Sequence, residues 1–133
     1  MGLLFINVVI FFSSIEHDTN FIFSESEQGY VVKFNANQRY ATTAITTAIL
    51  REVAKAAGVP LQDFVVKNDS PCGSTIGPIM SAKLGMPTID IGAPQLSMHS
   101  IREMCCTSSI YQGVQLFQGF FENYPRVFAS MNM

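Results

Sequence analysis

Two polar, glycine-containing stretches hold the residues best suited to chemistry. Residues 68–78 read NDSPCGSTIGP and contain Cys72, whereas residues 92–103 read GAPQLSMHSIRE and contain His99. Cys72 could act as a nucleophile, but neither of the two histidines stands at a spacing that predicts a catalytic pair. A structural turn is the simpler interpretation of residues 68–78, and no Lys-Ser/Thr pair completes a phosphate loop there.

The position of His99 favours a metal ligand over a core residue. It follows a predicted strand and directly precedes a predicted helix. A metal ion takes three or four ligands, however, and no neighbouring cluster of His, Asp or Glu completes such a set. A polar surface residue is therefore the alternative interpretation of His99.

Lys33 and Tyr40 flank a predicted strand-to-helix turn. Taken by themselves, Lys33 is predicted to be an exposed strand residue and Tyr40 to be the first core aromatic of the following helix. Neither prediction assigns a chemical function to these two side chains.

The pattern of apolar runs and chain breakers predicts alternating strands and helices. From Tyr30 onward, β-branched runs predict strands, and apolar residues three and four apart predict helices that end at Gly or Pro. The predicted elements are a strand at Tyr30–Phe34, a helix at about Tyr40–Ala57, a strand at Phe64–Val66, a helix at about Ile76–Leu84, a strand at Thr88–Ile91, and a helix from Ser100, capped with Glu103, to the residue before Pro125. Such alternation predicts an α/β fold with at least two parallel strands, whose ligands lie beyond the carboxyl ends of the strands.

The N-terminal 29 residues differ from the rest of the chain. Leu3–Phe12 is apolar but too short to span a bilayer, and no basic residue precedes it as in a secretory signal. A buried strand is the preferred interpretation, followed by a polar connector over residues 13–29. The predicted organisation is therefore a divergent segment, residues 1–29, and one α/β unit, residues 30–133.

Composition excludes several classes of protein. Hydrophobic residues make up 48% of the 133 residues and charged residues only 14%, against about 25% charged in a typical domain, which excludes intrinsic disorder. The net charge of −2 argues against a nucleic-acid partner. Three cysteines without a paired spacing predict reduced thiols in a cytoplasmic setting, and no membrane partner is expected.

Three stretches of the chain resemble a known enzyme family. VVKFNANQRYAT (Val31–Thr42), VPLQDFVVKNDSPCGSTIGPI (Val59–Ile79) and GAPQLSMHSIREMCCT (Gly92–Thr107) are similar to the C-terminal part of the aspartyl aminopeptidase catalytic domain, in the same order. Members of that family are cytosolic dizinc metallopeptidases that release N-terminal Asp or Glu. The resemblance covers about Tyr30–Tyr124, and for residues 30–133 it implies part of a three-layer α/β/α mixed sheet with crossover helices.

The same resemblance assigns roles to three residues. His99 matches the family's C-terminal zinc ligand, and Lys33 and Tyr40 match positions that contact the substrate. An ammonium and a hydroxyl there would bond to the acidic side chain or to the adjoining carbonyl. The resemblance also implies two zinc ions, which would polarise the scissile carbonyl and activate a water molecule. Peptides with acidic N-termini and a homo-oligomer are the implied partners.

The family's other zinc ligands and its general-base Glu lie upstream of the matched region. Glu25 and Glu27 do not match its paired-Glu motif, and His17 with Asp18 lacks the family's flanking residues. The chain is therefore expected to contain no catalytic residue and an incomplete zinc site, and to be inactive by itself. The alternatives are a truncated product that serves as an interaction fragment, and a small α/β module whose glycine-containing loops bind an anion.

Overall fold

The elements of the fold follow the predicted alternation from Tyr30 onward. The structure, a computed structural model, describes residues 8–10 and 29–131. In chain order its elements are β1 (Val8–Ile10), β2 (Tyr30–Phe34), α1 (Ala44–Ala57), β3 (Leu61–Val65), α2 (Gly77–Leu84), β4 (Ile89–Gly92), β5 (Gln95–Leu96), β6 (Met104–Cys105) and α3 (Thr107–Met131). The short antiparallel pair of β5 and β6 is additional to the prediction.

Four strands form a mixed sheet in the order β1-β4-β2-β3. β2 pairs in parallel with β3, and β1 pairs in parallel with β4, whereas β2 and β4 run antiparallel. The predicted α/β fold with parallel strands is thus confirmed. Because β4 is reversed relative to β2 and β3, the loops that follow β3 and β4 leave from opposite edges of the sheet. The two polar loops of the sequence therefore do not begin at a common edge.

The first helix begins later than predicted because Thr43 caps it. The Thr43 hydroxyl accepts a hydrogen bond from the Thr46 N–H at 3.2 Å, and the Thr46 hydroxyl accepts one from the Thr43 N–H at 3.0 Å. This reciprocal capping box fixes the helix start at Ala44 and leaves Tyr40 in the preceding turn. At the other end, Gly58 adopts the left-handed conformation with a φ of 69° and terminates the helix.

One face of the sheet packs against α1 and α3. The largest apolar cluster joins alternate residues of β2 and β4 to the helices, and consists of Tyr30, Val32, Leu50, Ala54, Val59, Ile89, Ile91, Ala93 and Leu116. On the opposite face of β2, Val31 contacts Phe64 and Leu96. Because side chains alternate along a strand, Lys33 and Asp90 belong to this second face as well.

The last helix begins at Thr107 and not, as predicted, at Ser100. The Ser100 hydroxyl accepts a hydrogen bond from the Arg102 N–H at 3.0 Å, and the Glu103 carboxylate accepts one from the His99 N–H. These bonds close a local turn between β5 and β6 in place of the predicted helix cap.

Pro125 lies inside α3, although it was predicted to lie beyond the helix end. A proline in a helix interior removes a backbone hydrogen bond and costs about 3 kcal/mol. On either side of it, however, Tyr124 and Val127 are buried in one cluster with Ile49 and Val53 of α1. This packing stabilises the helix beyond the proline.

The predicted N-terminal strand is observed at Val8–Ile10, paired with β4. The rest of the predicted strand at Leu3–Phe12, and the predicted connector as far as residue 28, lie outside the described residues. Of the helices described between residues 29 and 131, none has the length and apolar character needed to cross a membrane.

Candidate functional site

Lys33 is buried, which corrects the prediction of an exposed strand residue. Only 1% of its surface is accessible to solvent, because the Tyr40 ring lies over its ammonium and Asp90 of β4 stands beside it on the same face of the sheet. A buried ammonium needs compensating groups, since removing a charge from water is costly. The ring of Tyr40 and the charged or polar groups of Asp90 and Cys72 are among its neighbours.

Tyr40 lies over the Lys33 ammonium. The Lys33 Nζ is 5.5 Å from the centre of the Tyr40 ring, a distance at which the negative face of the ring attracts a cation. Tyr40 is itself buried, in the turn between β2 and α1. The structure thus brings together the two residues for which the sequence suggested substrate contact.

Asp90 faces Lys33 from the neighbouring strand. β2 and β4 are paired with Val32 opposite Ile91, and continuing that register sets Asp90 opposite Lys33. Directly opposed residues of an antiparallel pair have their side chains on the same face. Both residues are only 1% exposed, so a carboxylate and an ammonium share the interior of the sheet.

The Asp90 carboxylate also holds the turn that carries Tyr40. Its Oδ2 accepts a hydrogen bond from the Ala41 N–H at 2.6 Å, and the Thr42 hydroxyl accepts one from the Asp90 N–H at 3.0 Å. Gly77, the first residue of α2, lies against the same carboxylate, and a Cβ at this position would come within 3.0 Å of the Asp90 Cγ. Asp90 therefore joins β4 to the turn and to the start of α2.

Cys72 reaches Lys33, Tyr40 and Asp90 from the loop after β3, and these four residues together are called the pocket below. Its thiol donates a hydrogen bond to the Tyr40 hydroxyl oxygen at 3.3 Å. The Thr75 N–H donates to the Arg39 carbonyl at 3.1 Å and so ties this loop to the turn after β2. The thiol contacts a hydroxyl and not a general base, which favours the structural interpretation of this loop over a cysteine nucleophile.

Burial is the largest cause of the shifted pKa values of Lys33 and Tyr40. It lowers the pKa of Lys33 from the ordinary value of 10.5 to about 8, and the nearby Asp90 and Cys72 act in the opposite direction. Burial, together with Cys72 and Asp90, raises the pKa of Tyr40, so its hydroxyl is neutral at physiological pH. Near pH 7 the pocket therefore combines an ammonium with a neutral hydroxyl, a pair of groups suited to binding a carboxylate.

His99 stands in the turn between β5 and β6. Its side chain is exposed, its φ is +61°, and its backbone N–H donates to the Glu103 carboxylate. Within the described residues, no three His, Cys, Asp or Glu side chains come together as a metal site. This part of the chain therefore does not form a zinc site by itself, and a zinc ion bound at His99 would need ligands from elsewhere.

Asp90 contributes to the pocket, yet the sequence patterns did not single it out. For Asp90 a signal exists, because it is the one acidic residue in the short apolar run Thr88–Ile91 and alternates with two isoleucines. A carboxylate in such a position is buried and requires a partner.

Comparison with known proteins indicates one peptidase family. A family model described as Aminopeptidase I zinc metalloprotease (M18) matches residues 11–121. The aspartyl aminopeptidase of Caenorhabditis elegans is 59% identical over 103 residues, which cover 77% of this chain and 22% of that protein. The chain spans about a fifth of the length of the curated relatives it matches.

Solved structures show the same arrangement of elements. The cryo-EM structure of the Ape4 and Nbr1 complex matches with a TM-score of 0.73 and 53% identity, over 75% of this chain and 19% of that one. The structure of the Saccharomyces cerevisiae mApe1 dodecamer matches with a TM-score of 0.68 and 34% identity, over 77% of this chain and 22% of that one. The mixed α/β fold described above is therefore shared with these proteins.

Proposed function

Because the chain belongs to the aminopeptidase I zinc metalloprotease (M18) family, we propose that it forms the C-terminal part of an aspartyl aminopeptidase, which releases N-terminal Asp or Glu from peptides. The observation that carries the proposal is the buried Lys33 ammonium, which lies beneath the Tyr40 ring. Buried titratable groups with a strongly shifted pKa are concentrated at functional sites.

Lys33 supplies the charge that would select an acidic substrate. An ammonium in a pocket that excludes water makes a short, charge-assisted bond to a carboxylate. A neutral substrate side chain gains no such bond with the buried ammonium, so the difference in affinity favours Asp and Glu. The positive charge of Lys33 is thus the proposed determinant of specificity.

Tyr40 would contribute through two separate parts of its side chain. The ring faces the ammonium, and the hydroxyl can donate to a substrate oxygen while it accepts the thiol hydrogen of Cys72. The raised pKa of Tyr40 keeps that donor protonated over the physiological range. Tyr40→Phe therefore removes the contribution of the hydroxyl and leaves that of the ring in place.

His99 is proposed to supply one imidazole to a zinc site. The other zinc ligands and the general base would come from outside the described residues, and its exposed side chain is accessible to them. On this proposal the chain by itself contains no catalytic residue and is inactive. Residues 30–133 would be the catalytic-domain part, and residues 1–29 a divergent segment.

The complete enzyme is proposed to extend the mixed sheet into a three-layer α/β/α domain with crossover helices. Two zinc ions, a homo-oligomeric assembly and a cytoplasmic location belong to the same proposal. The dodecameric state of mApe1 supports the homo-oligomer, and the family description as a zinc metalloprotease supports the metal.

A chimera tests the proposed function. In it, residues 30–131 of this chain replace the matching segment of the C. elegans aspartyl aminopeptidase, to which the chain is 59% identical. We expect the chimera to hydrolyse peptides with an N-terminal Asp and to prefer them to peptides with an N-terminal Ala. A folded, zinc-loaded chimera that is inactive, or that lacks the acidic preference, contradicts the proposal.

A further inference from the structure

Asp90 holds two parts of the pocket at once. Its position on β4 sets its carboxylate opposite Lys33 across the antiparallel pair, and its Oδ2 accepts the Ala41 N–H at 2.6 Å. The side chain is 1% exposed, so bulk water does not compete for either interaction. Acidic side chains are almost never buried to this extent unless they are paired.

We propose that Asp90 is a positioning residue of this pocket, which keeps the Lys33 ammonium charged and fixes the turn that sets the Tyr40 ring over it. The identity of the ligand rests on the proposed function. The two actions of Asp90 are properties of this chain and can be measured without a substrate.

The charge on Lys33 depends on groups from three elements. Asp90 faces it from β4, Cys72 from the loop after β3 and Tyr40 from the turn after β2. Asp90 is the stronger of the two groups that oppose the effect of burial on the pKa of Lys33, which is about 8. Loss of an opposite charge shifts a pKa by about one unit or more, and one unit would lower the protonated fraction of Lys33 about threefold at pH 7.4.

Gly77 leaves room for the carboxylate at the start of α2. A Cβ there would come within 3.0 Å of the Asp90 Cγ, and the N-terminal end of a helix stabilises a negative charge. Asn in place of Asp90 keeps the side-chain shape and an oxygen that can accept the Ala41 N–H, but removes the charge. Asp90→Asn therefore separates the electrostatic action from the hydrogen bond.

An NMR titration of the 133-residue chain tests the electrostatic action. Lys33 is one of four lysines, and its ¹³Cε signal can be assigned with Lys33→Met. We expect Asp90→Asn to move the midpoint of the Lys33 titration to lower pH by about one unit or more. Asp63→Asn removes an exposed carboxylate that is paired with Arg51 and should leave the midpoint in place. An unchanged midpoint in a folded Asp90→Asn chain overturns the proposal.

A second measurement decides the case in which Asp90→Asn does not fold. Lys33→Met/Asp90→Asn is then compared with Asp90→Asn by denaturant unfolding. Because removing one partner of a buried charge pair leaves the other uncompensated, recovery of the folded state in the double variant supports the proposal, and no recovery overturns it.

The chimera provides a third measurement. Asp90→Asn should move the alkaline limb of kcat/KM for Asp peptides to lower pH and leave the pH profile for Ala peptides unchanged. A limb that stays in place for Asp peptides overturns the proposal. A chimera that is inactive before any substitution contradicts the proposed function alone, because the titration of Lys33 in the 133-residue chain still decides the role of Asp90.

Discussion

The Lys33 ammonium nitrogen lies 5.5 Å from the centre of the Tyr40 ring, and both residues are buried. The contact depends on where α1 begins, because the capping box at Thr43 leaves Tyr40 in a turn that folds back on the end of β2. A helix that began at Tyr40 would instead hold the ring in its first turn. The cap of a neighbouring helix thus controls the geometry of the pocket.

Lys33→Met in the chimera should abolish most of the preference for acidic substrates. Removing one partner of a desolvated charge pair costs about 2–5 kcal/mol, which corresponds to a loss of tens to thousands of fold in kcat/KM for N-terminal Asp. Steady-state kinetics on Asp and Ala peptides measure the change, and Lys55→Met, on the exposed face of α1, is the matched control. Equal losses on both substrates would assign Lys33 a purely structural role.

The activity of the chimera on acidic substrates should fall as the pH rises through about 8. The folded-state pKa of Lys33 is lowered to about 8, so the ammonium is present below that pH and is lost above it. The pH dependence of kcat/KM reports groups of the free enzyme. We expect an alkaline limb near pH 8 for Asp peptides that is absent for Ala peptides, and the same limb on both would exclude Lys33 as its origin.

Tyr40→Phe should weaken activity without moving that alkaline limb. The ring and its contact with the ammonium are kept, while a hydrogen bond worth about 0.5–1.5 kcal/mol is removed, which lowers kcat/KM by up to roughly tenfold. Cys72→Ala removes the thiol donor that contacts the Tyr40 hydroxyl but leaves the hydroxyl, so it should not reproduce this loss of activity. A shift of the limb in Tyr40→Phe would show that the hydroxyl contributes to the charge state of Lys33.

Gly77→Ala should destabilise the fold by crowding Asp90. The added Cβ approaches the buried carboxylate, and overpacking of this kind costs about 1–3 kcal/mol in the free energy of unfolding. Gly73→Ala is the control, because a Cβ at Gly73 meets no atom within 4 Å. Denaturant midpoints measure both variants, and equal midpoints would mean that α2 moves aside without cost.

Metal analysis should find less than one zinc ion per 133-residue chain. Catalytic zinc takes about three protein ligands and a water, and the described residues bring no three candidate ligands together. The chimera should contain zinc, and His99→Ala in the chimera should lower both its zinc content and its activity. Ser97→Asn changes another exposed residue of the same turn and should leave zinc content and activity unchanged. Tightly bound zinc in the 133-residue chain alone would contradict the prediction.

Most elements of the fold could be predicted from local sequence patterns. The strand at Tyr30–Phe34 matches its predicted bounds, and Gly58 and Gly85 end α1 and α2 where the sequence places them. These features depend on interactions within a few residues. Patterns of apolar spacing and backbone conformation therefore suffice to identify them.

The errors arose where distant contacts decide between local alternatives. Pro125 is a helix breaker by itself, and only burial of its neighbours against α1 explains why the helix continues. Lys33 is a polar residue in a short strand, and only the strand order shows that β2 is flanked on both sides. Burial of a charge depends on contacts with residues distant in the sequence, and the spacing of apolar residues along the chain does not reveal those contacts.

The strand order also has a consequence for the sequence of events in folding. Paired residues of β2 and β3 are about 30 positions apart in the sequence, those of β2 and β4 about 60, and those of β4 and β1 about 80. Longer loops cost more entropy to close. We therefore expect β2, α1 and β3 to assemble early and β4 to insert afterwards. Until it does, the ammonium of Lys33 lacks Asp90 as its neighbour, so the pocket acquires its chemical character only when β4 pairs with β2.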